Sequence, residues 1–72
     1  MAKQPVYWCG QIDQCQITGD PLGDVMYDAS LRSIGWCNCG QAAFDAYGGR
    51  LGLGLGQKYA KQADGRWLKV EG

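Results

Sequence analysis

The chain has 72 residues, in which seven Lys/Arg balance seven Asp/Glu, with twelve Gly, four Cys and no His. A domain this short gains only ~3–5 kcal/mol from its core, so four thiols read first as a staple, either disulfides or a metal. The lack of His excludes Ser-His-Asp and Cys-His catalysis and His-ligated zinc. The lone Glu71 leaves little carboxylate chemistry, and the neutral balance argues against a general polyanion binder, so the expectation is not an enzyme.

Taken in chain order, the segment Met1–Pro5 lacks the apolar stretch of a signal peptide, which points to the reducing cytosol. No apolar run approaches the ~20 residues that a bilayer span needs. Pro5-Val6-Tyr7-Trp8 is an aromatic strand, and Tyr7 and Trp8 are candidate contacts for a partner. Trp8 and Trp36 each directly precede a Cys, where packing around the staple competes with a role as an exposed anchor. Gly23–Tyr27 and Ile34–Cys39 are short apolar runs separated by Asp28–Ser33, which predicts a hairpin. Gly40–Tyr47 places Ala43, Phe44 and Tyr47 on one face of a short helix, and Gly48-Gly49 supplies its stop. About two turns of helix cannot stand alone and must dock on something.

The tract 49–56 alternates Gly with Leu51, Leu53 and Leu55. As a phosphate cradle it fails, since a P-loop requires Gly-Lys-Ser/Thr and Gly56 is followed by Gln57. The pattern suggests backbone passing close to another surface, with the three Leu forming one apolar edge as further partner-contact candidates. In the last segment, 57–70, Asp64-Gly65 predicts a two-residue type I′ turn. That register sets Ala63 opposite Arg66, Lys61 opposite Leu68 and Tyr59 opposite Val70. Tyr59, Leu68 and Val70 would then share the core face, with Trp67 on the other. The expected fold is a single small α+β domain of two hairpins and one short helix around a Cys cluster. It divides into an acidic half over 1–48, net −3, then the Gly/Leu tract, then a hairpin; residues 49–72 carry net +3.

The thiols lie as Cys9-x5-Cys15 and Cys37-x-Cys39, with 21 residues between the pairs. Two pairs at that separation fit a zinc ribbon in outline, although neither pair has the favoured Cys-x2-Cys form. Zinc bound by Cys9, Cys15, Cys37 and Cys39 would be structural, because four thiolates fill its tetrahedron. A redox enzyme is not expected without a Cys-x2-Cys in a βαβ setting.

Three stretches carry a resemblance. They are Cys15-Gln-Ile-Thr18-Gly19-Asp-Pro21-Leu-Gly-Asp24-Val-Met-Tyr-Asp28, then Gly35-Trp36-Cys37-Asn-Cys39, then Gly52-Leu-Gly54-Leu-Gly56-Gln57-Lys58-Tyr59. Together they resemble small zinc-ribbon-type proteins encoded by tailed bacteriophages. In that family a Cys-x2-Cys-Gly knuckle precedes Pro and an Asp-containing strand. A Trp then leads into a second knuckle, and a Gly-Leu-Gly tract runs into Gln-Lys-Tyr. The match covers roughly residues 15–70 and is most specific in the C-terminal tract. It departs from the family where Thr18 and Ala42 replace the second Cys of each knuckle. Cys9 and Cys37 then either rebuild a zinc site, or zinc is lost and Cys15 and Cys39 form a disulfide or stay as buried thiols.

Three roles follow as expectations. The first is a protein-interaction module with a phage or host partner, contacted through Tyr7, Trp8, Leu51, Leu53 and Leu55. Within it lies a virion accessory role on a capsid or tail, which would place the protein in the host cytoplasm or on the particle. The alternative is a nucleic-acid-binding ribbon that uses Lys58, Tyr59, Lys61, Arg66, Trp67 and Lys69, combining phosphate neutralisation with base stacking. No small-molecule substrate and no membrane partner are expected.

Overall fold

Runs that each carry one aromatic residue (Tyr27, Trp36, Tyr59 or Trp67), punctuated by Gly, Asp and Ser, become four strands in a computed structural model that describes residues 5–8, 10 and 12–72. These are β1 (Val25–Leu31), β2 (Gly35–Cys39), β3 (Gly56–Lys61) and β4 (Trp67–Glu71), with a single helix α1 (Gln41–Ala46) between β2 and β3. All neighbours pair antiparallel in the order β2-β1-β3-β4, so β1 is central. The small α+β class agrees with the sequence expectation and both hairpins form. In the first, however, Asp28–Leu31, expected in the connection, continues β1 and pairs with β2, which leaves only residues 32–34 as the turn. Cys9 lies outside the described residues.

The sheet has two covered regions, on opposite faces. On one face Tyr27, Ala29 and Leu31 of β1 meet Cys37 and Cys39 of β2, with Cys15 and the α1 residues Ala43 and Phe44. The helix docks by stacking: the Phe44 and Tyr27 rings lie 3.8 Å apart at 17°. Tyr27 Oη also donates to Gln41 Oε1 at 2.6 Å, which fixes the helix start. Ala43 and Phe44 are buried as expected, but Tyr47 is exposed and caps the helix instead of packing under it. The helix ends where Gly48 turns to φ +69 and Gly49 N–H donates back to Phe44 O, the six-to-one bond of a Schellman stop. On the second face Met26, Tyr59 and Trp67 form a smaller core, flanked by Trp8, Ile12 and Leu22.

The β3–β4 hairpin corrects the expected register by one residue. Lys61 pairs with Trp67, Ala60 with Leu68 and Tyr59 with Lys69. The connection is the three-residue loop Ala63-Asp64-Gly65, closed by Gly65 N–H to Gln62 O and Gln62 N–H to Arg66 O. Gly65 alone takes positive φ (+88), so the type I′ turn, which needs it at Asp64 as well, does not form. Asp64 favours the longer loop because its carboxylate accepts the Arg66 N–H at 3.0 Å, an Asx turn. A one-residue slip exchanges the two faces of a strand. Trp67 is therefore buried beside Tyr59, while Leu68 turns to the other face. Val70 is the extra residue of a bulge opposite Lys58 and Tyr59 and is exposed.

The Gly/Leu tract is a tight loop. Gly52 and Gly56 pair through both their backbone groups, at 3.0 and 3.1 Å, and Leu53-Gly54-Leu55 form the tip. The three Leu therefore do not form one edge. Leu51 packs on the first core, Leu53 is 96% exposed, and Leu55 lies between these extremes.

Gly56 sits where the tract crosses β1. A Cβ there would lie 2.5 Å from Arg50 O and 2.8 Å from Ala29 Cβ, whereas one at Gly23 would meet nothing within 4 Å. Gly56→Ala is expected to lose about 3 kcal/mol, comparable with the whole stability of a domain this small. Gly23→Ala should stay within about 0.5 kcal/mol of wild type. Urea melts of the two variants decide this: equal midpoints would show that the crossing is loose.

Candidate functional site

The first candidate is the thiol pocket. Residues 14–21 fold into a small hairpin in which Cys15 N–H donates to Asp20 O and Gly19 N–H to Cys15 O, and Gln14 bridges to Pro21. Its Gln16 N–H donates to Asn38 O, and Gln16 Oε1 accepts the Asn38 N–H, which locks this turn against β2. Cys15, Thr18, Gly40 and Ala42 then line one cleft of about 250 Å³. Three of the four positions at which the resemblance places knuckle residues, Cys15, Thr18 and Ala42, thus meet at this cleft, whereas Cys39 is not among its lining residues.

Burial raises the Cys15 thiol, but donation from the Thr18 hydroxyl and the N–H groups of Gly40, Thr18 and Ile17 outweighs it, and the net shift is downward. Cys37 and Cys39 project from one face of β2, in contact with each other. Cys37 is pushed up by burial, and Cys39, fully buried, is pushed up to about 12 by burial and then by the neighbouring Cys37. Cys15, Cys37 and Cys39 are free thiols. Among the described residues, no three metal-ligating side chains are placed to hold an ion. At the cleft itself the side-chain donors are the Cys15 thiol, the Thr18 hydroxyl, the Asp20 carboxylate and the Gln41 amide, with a methyl group at Ala42, a set that does not fit a closed four-thiolate zinc site.

The second candidate is the basic hairpin, and three of its four cations, Lys58, Lys61 and Arg66, are engaged within the chain. Lys58 lies 3.8 Å from the Glu71 carboxylate and Arg66 2.7 Å from that of Asp64. Lys61 sits over the Trp67 ring at 5.8 Å and Arg66 over Tyr7 at 4.1 Å. The pairing places Lys58 on the face opposite Lys61 and Lys69, so they form no single stripe. Tyr59 and Trp67 are core residues, not exposed stacking platforms. The expected nucleic-acid interface is therefore not assembled on this hairpin.

The expected aromatic contact strand is also internal. Trp8 N–H donates to Trp67 O and Lys69 N–H to Val6 O, which pairs residues 6–8 with β4. Trp8 packs edge-on against Tyr59 at 5.8 Å, and Tyr7 lies beneath Arg66.

What lies open is the far end of the sheet. Trp36 of β2 is directly opposite Ser30 of β1, and Ser30 N–H donates to Leu55 O at 3.0 Å. Trp36, Ser30 and Leu55 thus form one row across three chain segments. Trp36 is 54% exposed and Ile34 42%, and Leu53 projects beyond them from the loop tip. Sequence reasoning did select Leu53 and Leu55. It read Trp36 chiefly as staple packing, because it directly precedes Cys37. Alternation along a strand, however, sends adjacent residues to opposite faces.

Compared with known proteins, the chain matches no family model, no curated protein and no solved structure. Among the described residues no helix is long and apolar enough to cross a membrane.

The raised Cys39 pKa has a sign that can be tested. The folded value lies above the ordinary 9.0, so stability is intact below about pH 9 and falls as pH rises from 9 toward 12. Cys39 should contribute a loss of about 1.4 kcal/mol per pH unit in that window. Urea midpoints at about pH 8 and about pH 10 should therefore drop further in wild type than in Cys39→Ala. The same drop in both would remove Cys39 from the account.

Proposed function

We propose that the protein is a non-enzymatic interaction module that docks a protein partner on the end of the sheet formed by Ile34, Trp36, Leu53 and Leu55. The observation that carries this reading is the joint exposure of Trp36 and Leu53 at one end of a chain whose other aromatic rings are mostly packed inward. Trp is enriched among the few residues that dominate binding energies, and a protruding Leu supplies an apolar knob for a pocket. The phage resemblance extends the proposal to a capsid or tail protein as partner, with this chain as a virion accessory subunit. The hairpin alternative loses support because three of its four cations, Lys58, Lys61 and Arg66, already have partners and its two rings, Tyr59 and Trp67, are buried.

A photo-crosslinking side chain at position 53 should capture one virion protein in infected cells, and one at Ala63, exposed in the β3–β4 loop at the opposite end of the sheet, should not. Trp36→Ala should weaken that association by about 30-fold, the equivalent of ~2 kcal/mol, while leaving the thermal melt unchanged. Capture from position 63 but not from 53 would reject this surface.

Structural zinc is a separate proposal that rests on Cys9. If it is correct, native mass spectrometry of reduced protein should give a mass one zinc above the denatured mass. Equal masses would reject it.

A further inference from the structure

We propose that a cleft beside the open end of the sheet is a binding site for a phosphate oxyanion. The cleft, of about 500 Å³, lies between the β1–β2 turn and the exit of α1, and is lined by Ser30, Leu31, Arg32, Gly48, Gly49 and Arg50. Two arginines face it and no carboxylate does. Among the described residues neither Arg32 nor Arg50 forms an ion pair, whereas Lys58 and Arg66 of the hairpin both do.

The walls are held by backbone contacts. Arg32 N–H donates to Tyr47 O at 2.9 Å, and Gly49 N–H to Phe44 O at 2.8 Å. The Arg32 guanidinium lies across Gly48, where a Cβ would come within 3.2 Å of Nη2 and 3.4 Å of Cζ and Nε. A side chain at position 48 would press on it by a few tenths of an ångström, and the positive φ of +69 there favours glycine. Arg50 is anchored on the other side by its carbonyl, packed against Gly56. Two guanidinium forks offer more donors than the two oxygens of a carboxylate can use. A tetrahedral phosphate with three or four acceptor oxygens matches them.

Arg32 also stands beside the last carbonyls of α1, where a cation is favoured. That role does not account for the pair. The helix has six residues, Arg50 lies beyond it, and among the described residues the Arg32 side chain donates no hydrogen bond to a carbonyl.

Two sources supply the same chemistry: free phosphate, or the phosphodiester of a single strand whose base would stack on Trp36, directly across from Ser30. The test is a proton–nitrogen NMR titration of the full chain with inorganic phosphate at constant ionic strength, with sodium chloride as reference. Saturable shifts are expected at the Arg32 and Arg50 Nε–H and at the Ser30 and Gly48 amides. Arg32→Gln and Arg50→Gln should each weaken binding about tenfold, and the ion-paired control Lys58→Gln should not. The same spectra report whether each variant is folded. Shifts no larger than those from chloride, or unchanged affinity in both arginine variants, would overturn the site. In a second arm, an oligothymidylate that phosphate displaces and that Trp36→Ala weakens identifies the phosphodiester as the source. Phosphate binding without oligonucleotide binding identifies the free ion. Oligonucleotide binding that ignores both arginine variants would place the anion elsewhere and reject the cleft.

Discussion

The meeting of backbones at Gly56 is the constraint on which the open end of this molecule depends. There the chain returning from α1 crosses the central strand with no room for a side chain between Arg50 O and Ala29. Because the crossing is that close, Leu51 is drawn inward against the first core and the next residues must double back through Gly52. Leu53 is thereby sent to a tip, Leu55 is laid beside Ser30, and Arg50 is brought to the same cleft as Arg32. The apolar end surface and the arginine cleft are two products of one steric fact.

The two covered regions divide the work of stabilising the sheet. The Tyr27–Phe44 stack fastens the helix over the thiols, and Trp67 and Tyr59 anchor the N-terminal segment on the opposite face. Both are aromatic contacts, suited to a chain too short to bury many aliphatic side chains. Cys37 and Cys39 behave here as small apolar residues that fill space under the helix, while the Cys15 sulfur is treated as a polar atom and ringed by donors.

Elements whose signals are local were legible in the sequence: the helix stop at Gly48, the hairpin around Asp64-Gly65, and burial of Ala43 and Phe44. Features set by long-range contacts or by a subtle local choice were not. The Asp-Gly pair marks a turn, but whether the loop has two or three residues depends on the Asp64 carboxylate seizing the Arg66 N–H, and every facing downstream of the turn hangs on that bond. Alternation in the Gly/Leu tract implies an extended edge only if the segment runs straight, and the crossing at Gly56 forbids this. The arginine cleft unites residues 18 positions apart in the chain, with no motif to announce it.

The pairing of residues 6–8 with β4 has a consequence for self-association. An exposed sheet edge is a template for other strands, and aggregation through it is a standing hazard for small β-rich domains. Here the chain insulates itself. At one margin Val6 and Trp8 occupy the main-chain groups of Lys69 and Trp67, and at the other Gln16 takes both the N–H and the C=O of Asn38. With each margin partly occupied by the chain itself, strand addition is disfavoured along those stretches as a mode of recognition. Selectivity then falls to side chains, so this end surface can diversify by substitution without reopening the sheet to polymerisation.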